Sequence, residues 1–166
     1  MENMALASAK VISVTGAAFL SGFIACFSHA GVPTLNKAPL DVLVQEFRHM
    51  YNIGKSTSPP LALSVALSNG FLAYSARNNA QAVILHTIAA VCVMCIVPFT
   101  LLYMDPKVNN TLLDLGEKAE RLGKKAVGHV SEAEVRGLLW RWRGLNFVRA
   151  GVVAVSALLA AVAVVV

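Results

Sequence analysis

The chain has 166 residues, of which 57% are hydrophobic and only 14% charged, and its formal net charge is +5. This composition is too apolar for a soluble core and the polar surface around it, so it excludes an ordinary soluble domain. The basic balance fits loops that face anionic lipid, and no nucleic-acid-binding motif is present. We therefore expect a small polytopic protein whose partner is the lipid bilayer, with no nucleic-acid partner.

Four apolar segments are about long enough to cross a bilayer. They lie at about 9–28, 59–76, 81–104 and 145–166, and the second is the shortest. Strands of a membrane barrel alternate polar and apolar residues, and these segments do not. The prediction is an all-α membrane protein, a four-transmembrane-helix bundle that forms a single domain over residues 1–166.

The two longer loops carry amphipathic segments. In the first loop, residues 40–50 form a weak one, and Ser-Pro-Pro at 58–60 is expected to end it and begin the second span. The third loop, 105–144, is predicted to hold an amphipathic helix that ends near Gly123. A capping-box pattern at 131–134 then opens a second helix that leads toward the fourth span.

Lysine and arginine residues are concentrated in loops one and three, and only Lys10 and Arg77 lie on the other side. The positive-inside rule therefore predicts that loops one and three are cytosolic and that both termini are not. In a eukaryotic cell we expect this multi-pass protein in the endoplasmic reticulum or another endomembrane.

Three residues with polar or aromatic side chains, Trp142, Asn146 and Arg149, lie where the last apolar segment begins. Their spacing of i, i+4 and i+7 places them on one helix stripe. Polar groups inside a membrane are costly and usually face the bundle interior, so Asn146 needs an interhelical partner. Arg149 either serves a site or extends to lipid phosphates with Trp142 as a headgroup-level anchor, and both interpretations stay open.

Span connectivity brings further residues to the same loop-rich end of a four-span bundle. The set comprises Ser28, His29, Pro33, Tyr51, Thr100, Met104 and Asn109, together with Trp142, Asn146 and Arg149. We predict that a reactive pocket opens there. In this set His29 is either a base or a solvated residue at a helix end.

A second polar level lies deeper in the predicted bundle. Asn69 and His86 are each about seven residues from the tight turn at 77–79, so the two side chains can pair between spans two and three. Such a pair is either a structural hydrogen bond or part of a cavity or proton path. It is the competing location for the reactive site.

No metal-binding signature is present. The four histidines are scattered at 29, 49, 86 and 129, with no paired i, i+4 histidines and no carboxylate inside any span. We therefore expect no metal site, although the sequence leaves ligation of a haem or metal by a single histidine open. Cys92 and Cys95 form a C-x-x-C inside a predicted spanning helix, which argues against a redox pair.

Three motifs, in order along the chain, resemble the anthrone-oxygenase-like membrane family. They are Gly22, Ser28 and Pro33-Thr34-Leu35; then Pro98-Phe99-Thr100, Met104-Asp105-Pro106, Asn109 and Leu112; and finally Trp142, Asn146 and Arg149-Ala150. The resemblance implies a four-helix membrane bundle. Characterised fungal members oxidise anthrones to anthraquinones in aromatic polyketide pathways, whereas many bacterial relatives have no assigned activity. The stretch after the first-loop tyrosine is rich in histidine in those fungal enzymes, and here only His49 lies near Tyr51.

The resemblance thus implies an enzyme, a monooxygenase that converts an anthrone-like polycyclic aromatic of polyketide origin to a quinone with dioxygen as co-substrate. An anthrone enolises to an electron-rich carbanion that can pass an electron to dioxygen, so a protein base and an oxyanion stabiliser suffice without a cofactor. Arg149 and Asn146 are expected to hold the enolate, and His29 or His86 is expected to take the proton. The expected substrate-binding residues are Trp142, which stacks on the substrate, and Thr100, Met104, Asn109, Tyr51 and Asn69.

The alternative is a non-catalytic membrane binding or scaffold protein of the same fold, whose amphipathic third loop docks a partner enzyme. A small transporter or channel is disfavoured, because no internal repeat and no intramembrane carboxylate is present for ion coupling. The sequence determines neither the substrate nor the oligomeric state, and it does not exclude a homo-oligomer.

Overall fold

A computed structural model describes residues 4–166, and within this range the chain is almost entirely helical and contains no strand. Four long helices follow one another: α1 (Met4–Leu35), α2 (Leu40–Ser75), α3 (Ala80–Ala126) and α4 (Glu132–Val165). Within the described residues, α1, α3 and α4 are long and apolar enough to cross a membrane. The all-α class that the apolar segments predict is therefore confirmed.

Helices α1 and α3 both contain π-helical stretches, in which the turns are wider than in an α-helix. In α1 these are Ile12–Gly16 and Phe27–Gly31, and in α3 a long one covers Thr100–Asn109. Pro98 and Pro106 lie beside and within the stretch in α3. Proline has no N–H to donate to the regular α-helical ladder, and a wider turn lets the helix continue past it.

Two predicted boundaries lie inside continuous helices. Residue 104 is not a helix end, because α3 continues through its π-helical stretch into Asn110–Leu122. Residues 58–60 do not begin a helix, because α2 runs through Pro59 and Pro60 without a break. Both proline rings are exposed, so they displace no packed neighbour, and the helix tolerates the missing hydrogen bonds.

The connection between α3 and α4 is short. The α-helical part of α3 ends at Leu122, and Gly123 follows with φ 58°, a left-handed conformation that glycine adopts without steric cost. Helix α4 begins at Glu132, where the backbone N–H of Glu134 donates to Ser131 Oγ at 3.4 Å. From there it runs unbroken to Val165, so the last loop helix and the fourth apolar segment are one element.

The described residues form two compact units, which we treat separately. The first consists of residues 4–23, 57–97 and 149–166. Its interior contains many small side chains, among them Ala17, Ala62, Ala82, Ala89, Ala157 and Ala160. Ser21 Oγ donates to the Ala150 carbonyl at 2.9 Å, and Ser156 Oγ donates to the Ala89 carbonyl at 2.7 Å. Small residues with serine hydrogen bonds between helices are typical of membrane-helix packing.

The second unit consists of residues 24–56 and 98–148. Its core contains larger side chains, including Val32, Leu43, Val44, Phe47, Met104, Val108, Leu112, Leu139 and Trp142. Here the Asn110–Leu122 part of α3 packs its apolar face on the first turns of α2, with Leu112, Leu115 and Ala119 buried.

Three contacts bring this part of α3 close to α2. Gly116 approaches so near that a Cβ built on it would lie 2.6 Å from the Val44 carbonyl oxygen. Gln45 Nε2 donates to the Ala119 carbonyl at 3.1 Å, and Arg48 forms an ion pair with Glu120. Only a residue without a side chain fits at position 116.

Candidate functional site

A series of aromatic and polar contacts crosses the second unit. Trp142 is 3% exposed and packs edge-on against Phe47, with ring centroids 5.3 Å apart. Phe47 packs in turn on Tyr51 at 6.3 Å, and the Tyr51 hydroxyl lies 3.4 Å from Asp105 Oδ1. Asn109 Nδ2 donates to the same Oδ1 at 2.5 Å. These five side chains, which we call the aromatic–carboxylate network, come from α2, α3 and α4.

The local helix geometry explains how α3 supplies its part of the network. Asp105 and Asn109 both lie in the π-helical stretch Thr100–Asn109, four residues apart, where their side chains meet. Met104 in the same stretch is fully buried in the core of the unit, and Thr100 is half-buried at its start. Wide turns of this kind occur frequently at functional sites.

Two buried polar atoms of the network have no hydrogen-bond partner among the described residues. They are Oδ1 of Asn109, an acceptor, and Nε1 of Trp142, a donor. Asn109 is fully buried. An unsatisfied buried polar group costs about 1–3 kcal/mol, so such groups in a native protein point to a ligand, an ion or water that satisfies them.

The burial of Trp142 bears on the interpretation of this residue as a membrane anchor. A headgroup-level anchor keeps its ring at the membrane surface, whereas this ring lies in the core of the unit. The anchor interpretation is therefore wrong for Trp142. The neighbouring Trp140 is 43% exposed, and Arg143 lies 5.0 Å from its ring centroid.

A second polar cluster joins α4 to the end of α1. Asn146 Nδ2 donates to the Ile24 carbonyl at 2.9 Å and to Ser28 Oγ at 3.0 Å, so Asn146 has the interhelical partner that the sequence predicts. Arg143 Nε donates to the Ser28 carbonyl at 2.9 Å. The role of Arg143 was not predicted, because in the sequence it is one of many loop cations. His29, beside Ser28, has an exposed side chain.

The first unit holds the deeper polar pair. His86 Nδ1 lies 2.9 Å from Asn69 Oδ1, and both residues are buried, which confirms the pairing predicted from their positions along spans two and three. The amide oxygen only accepts, so the His86 proton lies on Nδ1. Asn69 Nδ2 donates to the Val65 carbonyl at 3.0 Å. Arg149 is half-buried and belongs to this unit, so its grouping with residues of the second unit stays a prediction.

Within the described residues, no group of three or more histidine, cysteine, aspartate or glutamate side chains is arranged to hold a metal ion. Cys26, Cys92 and Cys95 are free thiols. The chemistry that the second unit offers is that of a carboxylate, a phenol, an amide and an indole.

The second unit also contains an open groove of about 330 Å³ between the end of α1 and the start of α2. Its lining is mostly apolar and includes Phe27, Ala30, Gly31, Leu35, Met50 and Ile53, with Thr34, Glu46 and His49 as polar members. The volume is at the lower end of the range for small-molecule pockets. His49 thus lies beside a groove, a position that its surroundings in the sequence do not reveal.

Comparisons with known proteins agree with one another. A family model described as anthrone oxygenase matches residues 47–159. The anthrone oxygenase tpcL of Aspergillus fumigatus is 33% identical over 152 residues, which cover 89% of this chain and 88% of that protein. The anthrone oxygenase encC of the same fungus is 32% identical and covers 84% and 83%, and the anthrone oxygenase AgnL2 of Paecilomyces divaricatus is 33% identical and covers 88% of both. No solved structure matches the chain.

Proposed function

Because this chain belongs to the anthrone oxygenase family, we propose that it is an integral-membrane oxygenase that converts an anthrone-like polycyclic aromatic to a quinone with dioxygen, in aromatic polyketide biosynthesis. The observation that carries the proposal is the similarity to three proteins named anthrone oxygenases over more than four fifths of each chain. Three helices long and apolar enough to cross a membrane support it, because the substrate is itself apolar.

The proposed membrane arrangement is a four-span bundle in which α2 is the additional crossing helix. Support comes from the second half of α2, where four large side chains are exposed at helical spacing: Leu63, Leu67, Phe71 and Tyr74. An apolar stripe on the outside of a helix is expected where the helix contacts lipid rather than water. The cytosolic placement of loops one and three rests on their excess of lysine and arginine.

The proposed chemistry needs no organic cofactor or metal. An anthrone methylene lies between two aromatic rings and opposite a ketone, so loss of its proton gives an enolate that reacts with dioxygen. The protein then has to hold a flat aromatic molecule, remove a proton and stabilise an oxyanion. The aromatic–carboxylate network offers aromatic rings for the first of these tasks and a carboxylate for the second.

The contacts of Asn146 change its proposed role. Both protons of its Nδ2 are already donated, one to the Ile24 carbonyl and one to Ser28 Oγ. The amide donor therefore holds α4 against the end of α1 and is not available to an enolate. Arg149 stays the proposed oxyanion stabiliser among the residues of the last apolar segment.

The scaffold alternative is weakened by the packing of α3. That hypothesis needs the apolar face of the amphipathic helix for a partner enzyme, but Leu112, Leu115 and Ala119 are buried within their own unit. The outward face carries the charged side chains, including the ion pairs Asp114–Lys118 and Glu117–Arg121. We therefore keep the enzyme as the proposed function.

The proposal is tested with the full chain purified in detergent, supplied with anthrone and air, by following quinone absorbance and oxygen uptake. The blank is the same detergent without protein, because anthrones oxidise slowly by themselves. Turnover above the blank that survives a chelator supports the cofactor-free oxygenase, and loss of all turnover with chelator contradicts its cofactor-free form. No turnover with any anthrone contradicts the proposal itself.

Separate substitutions test the two predicted locations. We expect Arg149→Leu to lose turnover and His86→Phe to retain it, in preparations that elute as a single species from size exclusion. The reverse result, full turnover in Arg149→Leu and none in His86→Phe, would place the reaction at the Asn69 and His86 level.

A further inference from the structure

The carboxylate of Asp105 is held on one side only. Its Oδ1 accepts two hydrogen bonds, from the Tyr51 hydroxyl at 3.4 Å and from Asn109 Nδ2 at 2.5 Å. Its Oδ2 accepts none from the described residues, and the side chain is half-buried. Two donors on one oxygen fix the orientation of the carboxylate and leave the second oxygen able to take a proton.

We propose that Asp105 is the base that removes the methylene proton of the anthrone, with Tyr51 and Asn109 as positioning residues. This inference rests on the proposed function and adds to it the residue that begins the reaction. The C–H bond breaks, its proton passes to Asp105 Oδ2, and its electron pair stays on the substrate as the enolate.

Dioxygen then completes the oxidation. The methylene carbon loses four electrons in becoming a carbonyl, and dioxygen gains four. One oxygen atom becomes the new carbonyl oxygen, and the other leaves as water with the two hydrogens of the methylene. Asp105 returns its proton in this last stage and is ready for the next substrate.

The unsatisfied atoms of the same unit fit a ligand of this kind. Asn109 Oδ1 needs a donor, and a phenolic hydroxyl of a hydroxylated anthrone is one. Trp142 Nε1 needs an acceptor, and the ketone oxygen, which gains charge as the enolate forms, is one. A tricyclic ketone with phenolic hydroxyls supplies both partners, whereas a plain hydrocarbon supplies neither.

Asp105 is a better base than either histidine named from the sequence. His29 is exposed and has no described group to orient its ring, whereas Asp105 is fixed by two donors. His86 is oriented by Asn69 through Nδ1, which leaves Nε2 to take a proton, but it belongs to the first unit. Asp105 belongs to the same unit as the unsatisfied atoms of Asn109 and Trp142 that match the ligand. A general base has to be oriented toward the proton it takes, so geometry favours the carboxylate.

The experiment separates proton removal from the reaction with dioxygen. Wild-type protein in detergent is mixed with anthrone in D₂O without oxygen, and exchange of the methylene hydrogens is followed by mass spectrometry. The same preparations are then assayed aerobically for quinone. The substitution is Asp105→Asn, which keeps the size of the side chain and an oxygen for Tyr51. The matched control is Asp114→Asn, an exposed carboxylate in the same helix that pairs with Lys118.

We expect Asp105→Asn to lose both exchange and turnover by about 100-fold or more, the usual contribution of a general base. Asp114→Asn should match the wild type in both, and Asp105→Glu should restore part of what Asp105→Asn loses. Binding of an unreactive anthraquinone, followed by fluorescence quenching, should stay within about threefold in Asp105→Asn, because the polar contacts of the ligand are made by other residues.

Each other outcome overturns the inference in a recognisable way. Exchange at the wild-type rate in Asp105→Asn shows that another group takes the proton. If that variant loses turnover but exchanges the methylene hydrogens at the normal rate, Asp105 acts only in the reaction with dioxygen and is not the base. If Asp105→Asn does not fold, Asp105→Glu is used instead. A folded Asp105→Glu that exchanges no faster than the blank contradicts the assignment of Asp105 as the base. Failure of the wild type with every anthrone overturns the proposed function, and the inference with it.

Discussion

The close approach of α3 to α2 at Gly116 gives a substitution whose cost follows from the structure. A Cβ added there would lie 2.6 Å from the Val44 carbonyl oxygen and 3.0 Å from Arg48 Cβ, whereas ordinary contacts begin at 3.4 Å. The new carbon is thus about 0.8 Å too close to a backbone atom that cannot rotate away. Helix α3 has to move off α2, or both helices have to deform.

The cost of Gly116→Ala is about 1–3 kcal/mol, the range for an extra methyl group in a packed interior. Alanine is also a better helix former than glycine by roughly 0.5–1 kcal/mol, which partly conceals that cost. Gly137→Ala is the matched control, because Gly137 lies in α4 with open space around its missing Cβ. The difference between the two variants removes the propensity term and isolates the steric one.

The assay is thermal unfolding in detergent, followed by circular dichroism of the helices. For a protein of this size, 1 kcal/mol shifts the midpoint by about 2–4 °C, so Gly116→Ala should melt about 2–12 °C below Gly137→Ala. Gly137→Ala should melt at or slightly above the wild-type midpoint. Equal midpoints for the two variants would refute the close approach of α3 to α2.

Three further predictions concern contacts described above. Asn146→Leu removes both hydrogen bonds to α1 and should lower the free energy of unfolding by about 1–2 kcal/mol; unchanged stability in mixed micelles contradicts this. His86→Phe and Asn69→Leu should show a coupling of about 0.5–2 kcal/mol in a double-mutant cycle, and strictly additive effects would mean that the pair is not formed. Arg136→Gln removes the hydrogen bonds to the carbonyls of Asn36 and Ala38 in the connection between α1 and α2, so trypsin should cut after Lys37 several-fold faster. An unchanged cutting rate would mean that these hydrogen bonds do not hold the connection in place.

The sequence was informative where a residue's environment follows from its position in a span. The apolar segments predict the helices, and counting from the turn at 77–79 is enough to pair Asn69 with His86. A short amide in an apolar segment needs a partner on another helix, and Asn146 has one. These predictions depend only on helical rise and on the cost of unpaired polar groups in a membrane.

The sequence failed where the path of the backbone depends on tertiary contacts. Asp105-Pro106 is typical of the corner where a helix ends, so nothing indicates that a wide turn carries Asp105 to Tyr51. The aromatic residue that completes the contact with Trp142 is Phe47, which the sequence presents only as part of a weak amphipathic segment. Which apolar side chains meet across helices is set by packing, and periodicity does not contain that information.

The wide turns of Thr100–Asn109 make this site sensitive to the length of the chain. A π-turn closes its hydrogen bond one residue later than an α-turn, so it holds one more residue. A deletion that returned one of these turns to α geometry would keep Asn110–Leu122 facing α2 but would rotate the residues inside the stretch, and Asp105 would leave Tyr51. We therefore expect a single-residue deletion at this point to spare the packing and to remove the carboxylate contact.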